Sequence, residues 1–160
     1  MRISHFAAAA AALGLSLAAS AVAAPLAPPP KDSGIVRVES KYGMEETVSR
    51  LKADIAMKGI KFFDEIDQAA LAQSAGIKLK PAVQLIFGNP PLGIQFLTAS
   101  PYAGLDWPVR MEVLQDDDGT VWIAWTDFNF IAKRHHIKSR DAQFKMASEV
   151  AASIASSAAH

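Results

Sequence analysis

Three side chains in this sequence occupy local patterns that give them access to a ligand: Asn89 in Phe87-Gly88-Asn89-Pro90, Asp106 in Leu105-Asp106-Trp107-Pro108, and Asp67 after Phe63-Asp64-Glu65-Ile66. Gly88 permits close approach or a positive φ, Asn89 can bond its own backbone in a turn, and Pro90 disfavours helical geometry at Asn89. The cluster therefore makes a stiff corner at a strand end, where crevices that admit ligands open, although such a corner is more often purely structural. Asp67 and Asp106 are carboxylates at turn positions, each able to face a pocket or to bind backbone N–H groups; for Asp67 the expected partner is the start of a helix. Asp64 and Glu65 project to opposite faces of a strand, which makes them a poor proton-sharing or cation-binding pair.

Other groups carry less chemistry. His135 and His136 are adjacent, and helical neighbours diverge by about 100°, so they cannot chelate one metal as an i, i+4 pair does. With Lys133, Arg134, Lys138 and Arg140 they form a basic cluster, read as a solvated face able to meet an anion or a helix carboxyl end. Asp116-Asp117-Asp118-Gly119 lacks the ligand spacing of an EF-hand and is expected to be a solvated hairpin turn. No Gly-x-Ser-x-Gly elbow, Walker loop, dinucleotide fingerprint or His-Glu-x-x-His helix occurs. With no cysteine in the chain, disulfides, thiolate metal sites, iron–sulfur clusters and cysteine nucleophiles are excluded. No catalytic residue, metal site or cofactor is assigned.

The elements that position these residues follow from periodicity. Residues 35–40 alternate as a half-buried strand, and Met44, Val48, Leu51 and Ile55 then fall on one helical stripe that Gly59 ends. A second strand covers 60–66, and Asp67 caps a short helix over 68–75 with Gly76 behind it. Residues 82–87 are almost continuously apolar, as in an interior strand, and lead through the Gly-Asn-Pro-Pro breaker into a short helix around Phe96 and Leu97. Val109, Met111 and Val113 alternate with Arg110 and Glu112, and 121–125 returns as the other arm of a hairpin. Phe144, Ala147, Ala151 and Ile154 mark a terminal helix. The expected fold class is α+β: a mostly antiparallel sheet of about five strands with helices packed mainly on one face. Its uncovered face must be solvated or buried by a partner, for which Phe63, Trp122 and Trp125 supply apolar area.

Length and charge bound the remainder. A chain of 160 residues with 16 Lys+Arg and 16 Asp+Glu suits one domain and does not suit a basic nucleic-acid binder. Arg2, the apolar run over 6–19 and Ala21-Val22-Ala23 have the layout of a secretory signal peptide over 1–23, cleaved after Ala23. That run is too short for a membrane span of about 20 residues, so no anchor is expected and the mature chain is placed in the periplasm. Residues 24–32 form a Pro-rich linker, 33–155 the domain, and 156–160 a tail.

The spaced motifs already quoted, with Gly93, Asp118-Gly119-Thr120-Val121-Trp122 and Glu46-Thr47-Val48, resemble the bacterial domain of unknown function 302 family over residues 34–137. The resemblance implies a small α+β domain that associates as a homodimer and carries no established activity. The family often has His after the Asp that opens the second helix, where this sequence has Gln68. It also tends to have Leu at Trp107, Tyr at Trp125 and Pro at Phe128, so a role for that His does not carry over. The leading expectation is a dimeric, exported module that binds a small molecule or a partner through Asn89, Asp106 and Asp67. The alternatives are a structural or envelope-stress partner protein, and a hydrolase or isomerase using Asp67 or Asp106 with His136.

Overall fold

The computed structural model describes residues 26–159; the signal peptide read over 1–23 lies outside them. The elements are β1 (Ile35–Glu39), α1 (Met44–Met57), β2 (Lys61–Asp67), α2 (Gln68–Ser74), β3 (Ala82–Gly88), α3 (Pro90–Ala99), a 3-10 turn (Pro101–Leu105), β4 (Val109–Gln115), β5 (Val121–Thr126), α4 (Phe128–Arg134) and α5 (Asp141–Ala159). The strands form one five-stranded sheet in the order β1-β5-β4-β3-β2. Every pairing is antiparallel. The α+β class and the one-sided helical layer are as the sequence pattern predicts.

Local chemistry sets the helix ends. Asp67 caps α2 by accepting from Ala70 N at 2.8 Å. Pro90 and Pro91 occupy the first turn of α3, where a missing N–H costs nothing. Gly59, at φ 65°, carries the chain out of α1 in a conformation that a side chain would strain. Asp127 caps α4 through Asn129 N at 3.1 Å. That helix ends in the exposed Lys133 and Arg134 of the basic cluster. The buried residues Phe128 and Ile131, three apart, are its short sequence signal.

Period-two alternation divides the sheet. Leu85, Phe87, Met111, Val113, Val121, Ile123 and Trp125 turn toward the helices and meet Leu51, Ile55, Phe96, Phe144, Ala151 and Ile154 in the core. Phe96 and Phe144 stack with centroids 4.3 Å apart. Trp125 is therefore a core residue, 7% exposed, rather than part of the uncovered face. Positions 122 and 125 differ by an odd number of residues in one strand, so only Trp122 faces outward.

Two expected boundaries shift. The terminal helix runs to Ala159, and Ala158 is buried with its carbonyl accepting from Lys41 N and Ser40 Oγ; among the described residues the helix thus continues past Ala155 through 156–159, expected as tail. Ser40 Oγ also lies 2.6 Å from Thr47 Oγ1, so this fully buried threonine of the Glu46-Thr47-Val48 motif joins β1, α1 and α5. The Pro-rich stretch does not trail into solvent either. Positive φ at Asp32 and Gly34 turns the chain back, and residues 26–30 lie against the uncovered face of the sheet.

Candidate functional site

The sequence-predicted residues fall at separate places. Asn89 borders an apolar hollow with Ile60, Leu92 and Trp107. It precedes α3 without a side-chain cap bond, while its carbonyl accepts from Leu92 N and Gly93 N. The hollow is small, about 30 Å³, because the Trp107 indole fills the corner. A Cβ at Gly93 would lie 2.0 Å from Trp107 Nε1, and one at Gly88 would lie 3.1 Å from the same atom. These glycines thus make room for the indole, whose ring meets Phe63 edge-on at 6.1 Å.

Asp106 borders a neighbouring depression that shares Val109 and Phe128 with the first. Its carboxylate takes Arg134 Nη1 at 3.0 Å and His135 Nε2 at 2.5 Å, joining the end of the 3-10 turn to the end of α4. The imidazole partner of Asp106 is therefore His135, whose side chain is 5% exposed, and not His136. His136 lies beyond the α4 terminus at φ 54° and is exposed, because chain reversal turns successive side chains apart. Asp67 borders a third hollow with Met44, Val48 and Leu79, and is occupied by its cap bond. The fold does not bring the three into one pocket. Among the described residues no group of three or more His, Asp or Glu could hold a metal ion.

A different constellation lies on the uncovered face. Strand register places Arg37 opposite Ala124, Ala124 opposite Glu112, Glu112 opposite Gln84 and Gln84 opposite Ile66, in one row across all five strands. Neighbouring strands are about 4.8 Å apart, so the cation of Arg37 and the carboxyl of Glu112 arise roughly 10 Å apart with only a methyl group between them. The small Ala124 side chain leaves a hollow of about 600 Å³ bordered by Arg37, Gln84, Arg110, Glu112, Trp122 and residues 26–30. A second hollow of about 410 Å³ adjoins it and shares Leu26, Glu112 and Leu114.

Glu112 is the chemical centre of this surface. Burial pushes its carboxyl above the usual range, an effect that the Gln84 amide opposes. Both Gln68 Nε2 and Gln84 Nε2 donate to its Oε2 at 3.3 Å. Gln68, one of the residues at which the sequence departs from the resembled family, therefore touches the row directly. At the far side Arg37 lies 4.1 Å over the Trp122 ring and donates from Nη1 to the carbonyls of Leu26, at 3.2 Å, and Ala27, at 3.1 Å. Trp122 Nε1 in turn donates to Asp116 Oδ2 at 2.9 Å.

The first aspartate of the expected solvated turn is accordingly a buried junction, 5% exposed, whereas Asp117 and Asp118 are exposed. Hydrogen bonding with Asp118 and with Trp122, together with the N–H groups of Leu26 and Thr120, lowers the Asp116 carboxyl to about 2. Residues three strands apart come together in this row only through register. A polar Glu112 between Met111 and Val113 was visible in the sequence as one half of an alternation, and nothing local marked it as a binding group.

The family model described as domain of unknown function DUF302 matches residues 36–158. A crystal structure of an uncharacterized conserved DUF302 protein from Bacillus stearothermophilus superposes with a TM-score of 0.72 at 19% identity, covering 79% of this chain and 98% of that one. At that identity the likeness concerns the fold. Two proteins named fluoride-specific ion channel FluC 1, from Brucella suis and Brucella abortus, are each 37% identical over 106 residues, or 66% of this chain. The chain spans 42% of the first and 39% of the second. No helix among the described residues is long and apolar enough to cross a membrane.

Proposed function

We propose, from the premise that this chain belongs to the DUF302 family, that it is an exported, dimeric binding module whose ligand surface is the uncovered face of its sheet. The observation that carries this reading is Glu112, a half-buried carboxyl flanked in its row by Ala124 and Gln84, with both glutamine amides on one oxygen. A polar group is held in such surroundings at a free-energy cost, and its second oxygen, Oε1, is left to accept from a ligand. Export rests on the signal-peptide pattern of 1–23. Homodimer formation rests on the family resemblance and on the exposed Phe62 and Phe63 of edge strand β2. The activity named for the Brucella relatives belongs to longer proteins; we read the segment shared with them as a binding domain beside the remainder.

Native mass spectrometry of the chain from Ala24, purified gently from the periplasm of its host, tests this directly. A dimer mass with a reproducible adduct is the expected result. Compounds of the adduct class should then raise the melting temperature of the wild type, since a ligand that binds only the folded state stabilises it. That shift should vanish in Glu112→Ala. Persistence of the shift in Glu112→Ala with loss in Asn89→Ala would move the ligand to the hollow beside Trp107 and overturn the assignment to the sheet face. A monomer at every concentration tested would remove the dimer.

A further inference from the structure

We infer that the groove on the uncovered sheet face receives extended, proline-rich chain segments, and that residues 26–30 of this same chain are its resident occupant. The inference rests on reading that face as the binding surface and names the chemistry of the partner. Pro28, Pro29 and Pro30 have φ fixed near −65° and no N–H to satisfy, so the segment favours an extended polyproline geometry with little entropy left to lose on docking. Such a segment presents free carbonyls and apolar rings, and the groove supplies a counterpart to each. Arg37 donates to two successive carbonyls, those of Leu26 and Ala27, and the three prolines border the same hollow as Trp122. Trp122 is held from both sides, by the Arg37 guanidinium over its ring and by Asp116 at its Nε1. Asp116 also accepts from Leu26 N at 3.4 Å, so both polar groups of that residue's backbone are read.

The hydrogen bonds address backbone, not a particular long side chain, and the prolines lie beside the hollow that Trp122 borders. An equivalent segment from another protein meets the same donors and the same aromatic, as in aromatic-lined grooves that bind polyproline helices. The chain turns back onto itself through Ser33 N, which donates to Pro30 O at 3.2 Å, and through Gly34. A Cβ at Gly34 would lie 2.2 Å from the Phe130 ring, so this return path requires glycine. A tethered occupant on so short a loop acts at an effective concentration in the millimolar range, and an outside segment must compete with it.

The test uses the chain from Ala24 and a variant of that same chain in which residues 26–30 are replaced by a Gly/Ser segment of equal length. The probe is a synthetic peptide with the sequence of residues 25–31, Pro-Leu-Ala-Pro-Pro-Pro-Lys, and the readout is the indole N–H signal of Trp122. Saturable binding is expected in the variant, at least tenfold weaker binding in the wild type, and none when Arg37→Ala is added to the variant. If the variant does not fold, a spin label on Ala27→Cys, unique because the chain has no cysteine, should broaden the Trp122 signal of the otherwise wild-type chain. Excess peptide should then restore that signal. Absence of peptide binding to the folded variant at millimolar concentration, or an unbroadened Trp122 signal in the labelled chain, overturns the inference. Should metabolite shifts that depend on Glu112 persist in that case, the binding reading of the face survives while its proline-rich partner does not.

Discussion

Replacing Gly93 by alanine should destabilise this protein when Trp107 is present and stabilise it when Trp107 is absent. Gly93 lies inside α3, where alanine is favoured over glycine by about 1 kcal/mol. The added Cβ would, however, fall 2.0 Å from Trp107 Nε1 and 2.1 Å from Cε2, atoms of a rigid ring backed by Phe63. Overpacking of this kind costs roughly 1–3 kcal/mol, and so deep an overlap belongs at the upper end. Gly93→Ala alone should therefore lose about 2 kcal/mol, equivalent to roughly 8 °C in melting temperature for a domain of this size. Trp107→Ala alone should lose about 2–3 kcal/mol, less than a fully buried tryptophan because the ring is half-buried. In that background the clash is gone and Gly93→Ala should return about 1 kcal/mol, giving a coupling of roughly 3 kcal/mol. Urea unfolding of the four proteins closes the cycle. Additivity within about 0.5 kcal/mol would refute the claim that Gly93 exists to seat the indole.

The remaining expectations concern the sheet face and the core. Because burial raises the Glu112 carboxyl, its contribution to stability is fully present below the unfolded value of 4.5 and is lost as pH rises through the folded value. Glu112→Gln should consequently melt higher than the wild type at pH 7 and converge with it below pH 4.5; a lower melting temperature at neutral pH would contradict the burial argument. Asp116 has the opposite sign. Its folded value of about 2 lies below the unfolded 3.8, so its stabilisation is present above 3.8 and lost as pH falls toward 2. Asp116→Asn should flatten that part of the acid-stability profile, measured by thermal unfolding between the two values; an unchanged slope would show that the carboxylate does not anchor this region. Thr47→Val removes the hydroxyl shared with Ser40 Oγ and Tyr42 O inside a buried site, and should cost about 1–3 kcal/mol in urea unfolding while leaving far-UV circular dichroism unchanged. A change within 0.5 kcal/mol would mean that the hydroxyl network is energetically idle, below the loss expected for even one net hydrogen bond of about 1 kcal/mol.

Much of the architecture was legible because it is local. The alternation of 109–113 and 121–125, the stripe from Met44 to Ile55 and the Asp67 cap depend on residues within a few positions of one another, and the observed elements follow them. The Gly88-Asn89-Pro90 run was legible as a corner but not, with Gly93, as a seat for an indole. Its reason, Trp107, is supplied by a segment that returns after α3 and the 3-10 turn. The helix α4 was missed since its seven residues carry only two buried apolar positions among basic neighbours.

The α+β class, the one-sided helical layer, the absence of cysteine chemistry and the family to which the motifs point could all be read along the chain. Those properties are carried by periodicity, composition and short patterns, which need no knowledge of what lies opposite. That Arg37, Ala124, Glu112 and Gln84 form one row, that Asp106 meets His135, and that the proline-rich segment lies on the sheet is seen in the folded chain alone. These are cross-strand and cross-segment relations fixed by register, in which a slip of one residue would turn each side chain to the other face. The candidate binding surface arises from that register, with its charges drawn from distant parts of the chain.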